Sequence, residues 1–72
     1  MTTTYHAQIS KRPGQWAHHA TRATAEEAAW TLTDAMQWAG FRLSELAAHR
    51  ADLVAGHTLT SEHGISFRVV ER

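Results

Sequence analysis

The segment from Thr24 to Gly40 constrains the fold most, because its apolar residues recur with the spacing of an α-helix. Wound at about 100° per residue, these residues form one stripe that we predict to be buried. The stripe consists of Ala25, Ala28, Ala29, Leu32, Ala35, Met36 and Ala39. Thr24 and Glu27 form a capping box at the start, and Gly40 suits a left-handed C-terminal cap. The pattern therefore predicts one helix of about fifteen residues.

Two tryptophans lie on the opposite side of this predicted helix. Trp30 and Trp38 are about 80° apart, on either side of Asp34 and close to Gln37. Large aromatic residues on a solvated face indicate a second surface that must be covered by the rest of the chain, by a second copy or by a partner. We therefore predict a partner-binding site formed by Trp30, Asp34, Gln37 and Trp38. The alternative is that a second helix, or residues 41–46, folds back over one tryptophan.

The N-terminal part of the chain predicts a β-hairpin. Its first strand is indicated by the alternation of polar residues with the apolar residues Tyr5, Ala7 and Ile9. The sequence Arg12-Pro13-Gly14-Gln15 favours a type II turn, because proline presets φ at the second position and glycine accepts positive φ at the third. Pairing Lys11 with Trp16 places six residues on one face, namely Tyr5, Ala7, Ile9, Trp16, His18 and Ala20. A one-residue shift exchanges His18 for His19.

The segment after Gly40 leaves two interpretations open. Ser44 is a candidate cap for a short second helix that continues to Val54 and ends at Gly56. A strand over residues 41–43 is the competing interpretation.

The C-terminal residues predict a second hairpin. Its longer strand is indicated by the alternating apolar residues Ile65, Phe67 and Val69, and residues 58–60 form its partner. A three-residue loop of Glu62, His63 and Gly64, with Gly64 as the bulge glycine, pairs Leu59 with Phe67 and His57 with Val69.

Together these elements predict an α+β fold. We expect an antiparallel sheet of about four strands in two hairpins, with one main helix and a short second helix packed on one face. Because no linker or repeat divides the chain, residues 1–72 are expected to form a single small domain.

The composition indicates a thin core, since thirteen of the apolar residues are alanine. A short chain without cysteine has no disulfide to stabilise it, and we expect a homodimer to supplement the core. The absence of cysteine, of an apolar leader and of an apolar run long enough to span a bilayer indicates a cytoplasmic protein that does not engage membranes.

Charge and aromatic residues in the first hairpin support an alternative function. Seven basic and seven acidic residues cancel, so no whole-molecule field attracts nucleic acid. The hairpin itself, however, combines Lys11, Arg12 and Arg22 with Trp16 and precedes the first acidic residue, Glu26. A basic, aromatic ribbon of this kind is typical of nucleic-acid contact by phosphate pairing and stacking. The alternative hypothesis is a nucleic-acid-binding hairpin that uses Lys11, Arg12, Trp16 and Arg22.

Residues for catalysis, metal binding or cofactor binding are not grouped in the sequence. The six histidines lack cysteine partners and any His-Glu-x-x-His arrangement, and Glu45 with His49 has the spacing of an ordinary surface pair. His6 and His19 are expected to be neighbours on the outer face of the first hairpin. The serines lack a nucleophile-elbow context, and no glycine-rich phosphate loop is present. We predict no catalytic, metal or cofactor site.

Two short motifs resemble the beginning of known small modules. Gly14, Gln15 and Trp16 in a hairpin, followed by Thr24-Ala25-Glu26-Glu27-Ala28-Ala29 at the start of a helix, resemble both HicB-type antitoxins and the arm-binding N-terminal domain of tyrosine integrases. The resemblance covers about half of the chain and carries over no residue role. In size and class the chain also looks like small phage-encoded inhibitors such as anti-CRISPR proteins.

These observations lead to one expected function. We expect a non-catalytic protein-binding module, namely a small inhibitor, antitoxin-like or adaptor protein associated with a phage or a toxin–antitoxin locus. It is expected to dock a larger protein partner through the aromatic helix face.

Overall fold

A computed structural model describes residues 3–72 of the chain. The strands are β1 (Tyr5–Arg12), β2 (Gln15–Arg22), β3 (Leu59–Thr60) and β4 (Ser66–Glu71). The helices are α1 (Ala25–Thr31), α2 (Thr33–Trp38) and α3 (Leu46–Val54), and a 3₁₀ turn, Leu43–Glu45, leads into α3. None of the helices in residues 3–72 combines the length and apolar character that crossing a membrane requires.

The four strands form one antiparallel sheet in the order β2-β1-β4-β3. The two hairpins are joined through β1 and β4, which pair from Tyr5 with Glu71 to Ser10 with Ser66. The helices pack on one face of this sheet, because buried residues of the helices and of β1 and β4 form one core cluster. The predicted α+β fold, with helices on one face of a four-stranded sheet, is confirmed.

The core lies between the predicted apolar stripe and the centre of the sheet. Leu32 and Met36 are fully buried against Phe67 of β4, and Leu53 of α3 closes the same cluster. The alanines of the stripe let the helices approach the strands closely, since Ala28 and Ala29 are also fully buried. Ala25 and Ala35 at the margin of the stripe are half-buried.

The prediction of one continuous helix over residues 24–40 is wrong, because the helix is interrupted at Leu32 between α1 and α2. The hydroxyl of Thr31 donates a hydrogen bond of 2.6 Å to the carbonyl of Ala28. The N–H of Leu32 bonds the carbonyl of Ala29 instead, at 3.1 Å. A threonine hydroxyl that occupies a helix carbonyl competes with the main-chain ladder. Regular bonding resumes where the N–H of Met36 meets the carbonyl of Leu32.

The predicted cap at Thr24 is present. The Thr24 hydroxyl accepts a hydrogen bond of 3.2 Å from the N–H of Glu27 and donates one of 3.0 Å to the Glu27 carboxylate. The glutamate therefore contacts the capping hydroxyl itself rather than the cap amide that the sequence predicts.

We expect Thr24→Ala to lower the free energy of unfolding by about 1 kcal/mol, because it leaves a helical N–H without its acceptor. Urea unfolding followed by circular dichroism measures the change. Thr24→Ser keeps the hydroxyl and is expected to stay close to the wild type. Equal losses in both variants would contradict a role of the cap.

The predicted register of the first hairpin is correct from the pair of Tyr5 with Arg22 to the pair of Ala7 with Ala20 and wrong at Gln8 and Ile9. Ala20 pairs with Ala7 on the helix side as expected, but His18 pairs with Gln8 on the opposite face, and Trp16 also lies on that face, against Arg68. The irregularity between Ala7 and Gln8 causes the difference, because His19 is an extra residue on β2 at that point; a second irregularity, between Ile9 and Arg12, lies at the hairpin tip. An extra residue reverses the faces of the residues beyond it on the same strand, here His18 and Trp16 on the side of the turn.

The segment after Gly40 is helical, and the competing strand over residues 41–43 does not form. A 3₁₀ turn precedes α3, so the predicted cap at Ser44 is wrong: Ser44 lies inside that turn and no side chain caps α3. Gly40, with φ of +103°, ends α2 as predicted, because a left-handed residue there favours glycine.

The second hairpin has the predicted loop and the predicted strand pairing next to that loop. Leu59 pairs with Phe67, Thr60 pairs with Ser66, and the N–H of Ser61 bonds the carbonyl of Ile65 across the three-residue loop. The predicted pair of His57 with Val69 is absent from β3, because the N–H of His57 bonds the carbonyl of Asp52 at the end of α3.

Candidate functional site

Trp38 is the most exposed large apolar side chain among the described residues. It is 91% exposed at the end of α2 and borders a shallow apolar groove between α2 and the sheet. The groove is lined by Ile9, Lys11, Ala35, Ala39, Ile65 and Phe67. An indole beside an apolar groove forms a continuous surface of the kind that protein interfaces bury.

Trp30 lies on the other flank of the helical layer, towards α3. The guanidinium of Arg50 is 3.8 Å from its ring centroid, yet the side chain is still 61% exposed. It borders a second groove together with Glu26, Ala51 and Val54. In the alternative interpretation, a second helix folds over one tryptophan. α3 covers Trp30 in part, because its Arg50 lies over the Trp30 ring.

The two tryptophans border separate grooves that share no residue. Asp34 and Gln37 are exposed on the same helical layer, and neither side chain makes a hydrogen bond or ion pair within residues 3–72. The predicted partner-binding residues therefore form two aromatic surfaces along one helical layer rather than a single pocket.

The helical layer around these tryptophans is acidic. Glu26, Glu27 and Asp34 are exposed, and no lysine, arginine or histidine occurs between residues 23 and 41. The first two acids also lie in the first turn of α1, where the helix dipole favours negative charge.

The sheet face opposite the helices is covered by no other element of residues 3–72, and we call it the open face. Strand pairing and the alternation along each strand assign twelve residues to it. They are Thr4, His6, Gln8, Ser10, Trp16, His18, Thr21, Thr60, Ser66, Arg68, Val70 and Arg72. Among these residues there are two arginines, two histidines and one tryptophan, and none is acidic.

Arg68 organises the centre of the open face. Its Nε donates a hydrogen bond of 2.7 Å to Oε1 of Gln8, and its guanidinium lies 4.0 Å from the ring centroid of Trp16. Next to them, the rings of His6 and His18 meet edge to face, with centroids 5.6 Å apart. The Thr21 hydroxyl lies 3.2 Å from Nδ1 of His6 and 3.3 Å from Nε2 of His18.

The structure separates the residues of the alternative nucleic-acid site. Lys11, Arg12 and Trp16 line one groove at the tip of the first hairpin. Arg22 lies at the far end of β2, pairs with Tyr5 on the helix side and donates to the carbonyl of Thr21. Arg68 was not predicted, since it comes from the last strand. The alternation of apolar and polar residues along β4 predicts that Arg68 faces away from the core, but only the pairing of β4 with β1 brings Arg68 close to Trp16.

The histidines are arranged differently from the prediction. His19 faces the helices, with Nε2 2.9 Å from the carbonyl of Thr31, which is the exchange with His18 that a one-residue shift predicts. His19 therefore does not meet His6 on the outer face as expected. His49 and Glu45 form the predicted pair, 3.7 Å apart. In the part of the chain that the structure describes, no group of three side chains is arranged to hold a metal ion.

The chain thus presents an acidic helical layer with two exposed tryptophans and, on the other side, a basic open face with one. No protein-family model, curated protein or solved structure matches it. Its function is therefore inferred from these two surfaces.

Proposed function

We propose that this chain is a non-catalytic protein-binding module that docks a larger protein through Trp38 and the groove beside it. The exposure of Trp38, 91% of the side chain, is the observation that carries the proposal. Burying a large apolar side chain is worth about 2–3 kcal/mol, and the fold gains none of this from an indole left in water. Burial of the Trp38 indole in a pocket of the partner would contribute this free energy to binding, and tryptophans often make such contributions at interface hot spots.

The charge of the helical layer indicates what the partner carries. Glu26 borders the Trp30 groove, and Glu27 and Asp34 are exposed on α1 and α2, which carry no basic residue. Within residues 3–72, Lys11 is the one charged residue that borders the groove beside Trp38. A partner with an apolar pocket and a basic rim complements this layer. A second copy docked by the same layer across a twofold axis brings like charges together, so a different protein is favoured over a homodimer there.

The remaining residues of the layer have supporting roles. Asp34 and Gln37 are free to orient the partner through hydrogen bonds, since neither is engaged within residues 3–72. Trp30 offers a second contact, with one ring face already occupied by Arg50.

Capture of the partner from an extract of the source cells tests the proposal. We expect the wild type to retain one protein in stoichiometric amount and Trp38→Ala to lose it, because the anchoring indole is gone. With the purified partner, Trp38→Ala is expected to weaken the dissociation constant by about 30-fold. Fluorescence of Trp38 in a Trp16→Phe, Trp30→Phe chain is expected to shift to the blue on binding.

Leu43→Ala is the matched control, because Leu43 is also a large exposed apolar residue, 73% exposed, but borders neither groove. It is expected to bind the partner like the wild type. Equal binding by Trp38→Ala would contradict the proposal. A stable dimer by light scattering, with Trp38 protected from iodide, would also contradict it by making a second copy the occupant.

A further inference from the structure

We infer that the open face binds single-stranded nucleic acid, with Trp16 stacking on a base and Arg68 pairing with phosphate. Trp16 and Arg68, which carry this site, lie on the opposite side of the sheet from the proposed partner surface, and only Ile9 and Lys11 of residues 3–72 border both the Trp16 groove and the Trp38 groove. Of the residues predicted for a nucleic-acid site, Trp16 lies on the open face and Arg22 on the helix side, whereas Arg68 lies over Trp16.

Charge separation across the sheet supports an anionic ligand. None of the seven acidic residues is among the open-face residues, although Glu45 and Glu62 line a groove that reaches Thr60 at the β3 edge. The other five are Glu26, Glu27, Asp34, Asp52 and Glu71. Glu71 is on β4, but it pairs with Tyr5 and so faces the helix side. Arg68 and Arg72 are on the open face, and Lys11 and Arg12 line the groove beside Trp16. The net charge of zero therefore hides a locally basic surface, and phosphate binding depends on the local field.

The guanidinium of Arg68 is held in place before any ligand arrives. Its Nε donates a hydrogen bond of 2.7 Å to Gln8, and its guanidinium carbon lies 4.0 Å from the Trp16 ring centroid. Arg68 therefore occupies one face of the indole, and the proposed base stacks on the other face. The terminal N–H groups of Arg68 are free of hydrogen bonds within residues 3–72. A planar fork of that kind suits the bidentate recognition of phosphate, and prior ordering reduces the entropy lost on binding.

The shape of the face favours a single strand over a duplex. Duplex DNA is read by a helix or a two-stranded ribbon that enters a groove, whereas an open sheet face accepts bases that are already unstacked. Around Trp16 and Arg68, the neutral polar side chains of Gln8, Thr60 and Ser66 offer hydrogen-bond partners for base edges. An aromatic platform beside cations is the arrangement that binds single strands with little sequence preference.

The test is fluorescence anisotropy of labelled oligothymidylate and oligouridylate of about ten nucleotides, with the full-length chain. We expect both to bind, and a duplex of the same length to bind more weakly. With about three phosphate contacts, affinity is expected to fall roughly tenfold or more as salt is raised from about 50 to about 200 mM. Trp16→Ala is expected to weaken binding about tenfold through the lost stack.

Matched variants distinguish binding at a specific site on the open face from nonspecific attraction to positive charge. Arg68→Ala and Arg50→Ala each remove one arginine that lies over a tryptophan ring, but Arg50 is on α3, on the helical layer and on the opposite side of the sheet from the open face. Only Arg68→Ala is expected to weaken binding, while Trp16→Phe keeps a stacking ring and most of the affinity. Thr60→Glu places a carboxylate on the open face at an exposed position beside Ser66 and is also expected to weaken binding, without removing any packed side chain.

Several results would overturn the inference. One is the absence of binding by a chain whose circular dichroism is native, and another is an equal loss in Arg68→Ala and Arg50→Ala. Binding of inorganic polyphosphate as tight as that of the oligonucleotides, and unchanged by Trp16→Phe or Trp16→Ala, would also reject a nucleic-acid site. If Trp16→Ala does not fold, undiminished oligonucleotide affinity in Thr60→Glu would reject the site instead.

Discussion

Phe67→Ala is expected to lower the free energy of unfolding by about 3–5 kcal/mol. Phe67 is fully buried at the centre of the sheet, pairs with Leu59 and Ile9, and meets Phe41 edge to face with ring centroids 5.8 Å apart. Alanine there leaves a cavity between the sheet and the helices. A chain of this length has about 4–11 kcal/mol of stability in total, so this one change removes much of it.

Thermal unfolding by circular dichroism measures this effect. We expect the Tm of Phe67→Ala to fall by more than about 10 °C, or the variant to be unfolded at room temperature. Leu43→Ala removes another large apolar side chain from an exposed position and is expected to change stability by less than about 0.5 kcal/mol. Similar losses in the two variants would mean that the core is not centred on Phe67.

Leu32→Ala is expected to cost about 2–5 kcal/mol, although alanine is the better helix former. Leu32 lies at the interruption between α1 and α2 and is fully buried in the core. Alanine improves helix propensity by only a few tenths of a kcal/mol, so the lost packing dominates. If helix propensity at Leu32 were the only factor in the interruption between α1 and α2, Leu32→Ala would raise the free energy of unfolding.

Urea unfolding of Leu32→Ala beside Asp34→Ala distinguishes these explanations. Asp34 is exposed in α2, and its substitution is expected to change the free energy of unfolding by less than about 0.5 kcal/mol. A Leu32→Ala chain as stable as Asp34→Ala would show that the side chain contributes little to the core. These two substitutions also separate stability from partner binding, since only Asp34 is on the surface that we propose for docking.

Local patterns determined much of the fold. The apolar stripe between Thr24 and Gly40 predicted the buried face, because helical periodicity depends only on neighbours along the chain. The cap at Thr24 and the pairing of Leu59 with Phe67 were also correct, since both depend on a few adjacent residues. The exposure of Trp30 and Trp38 follows from the same helical geometry.

Other features depended on contacts between distant segments. The face of Trp16 was mispredicted because an extra residue on β2, at the irregularity between Ala7 and Gln8, shifts the register of the first hairpin, and no local signal marks it. The interruption at Leu32 depends on a single hydroxyl bond from Thr31 together with the burial of Leu32 against the sheet.

The candidate sites divide in the same way. The sequence by itself determined that Trp30 and Trp38 lie outside the core, because helical periodicity places both side chains on the face opposite the buried stripe. Only the tertiary structure decided that Trp30 and Trp38 border different grooves, since those grooves are completed by α3 and by the sheet. Likewise, only the pairing of β1 with β4 brought Arg68 over Trp16, because strand pairing joins residues from opposite ends of the chain whose proximity no local pattern encodes.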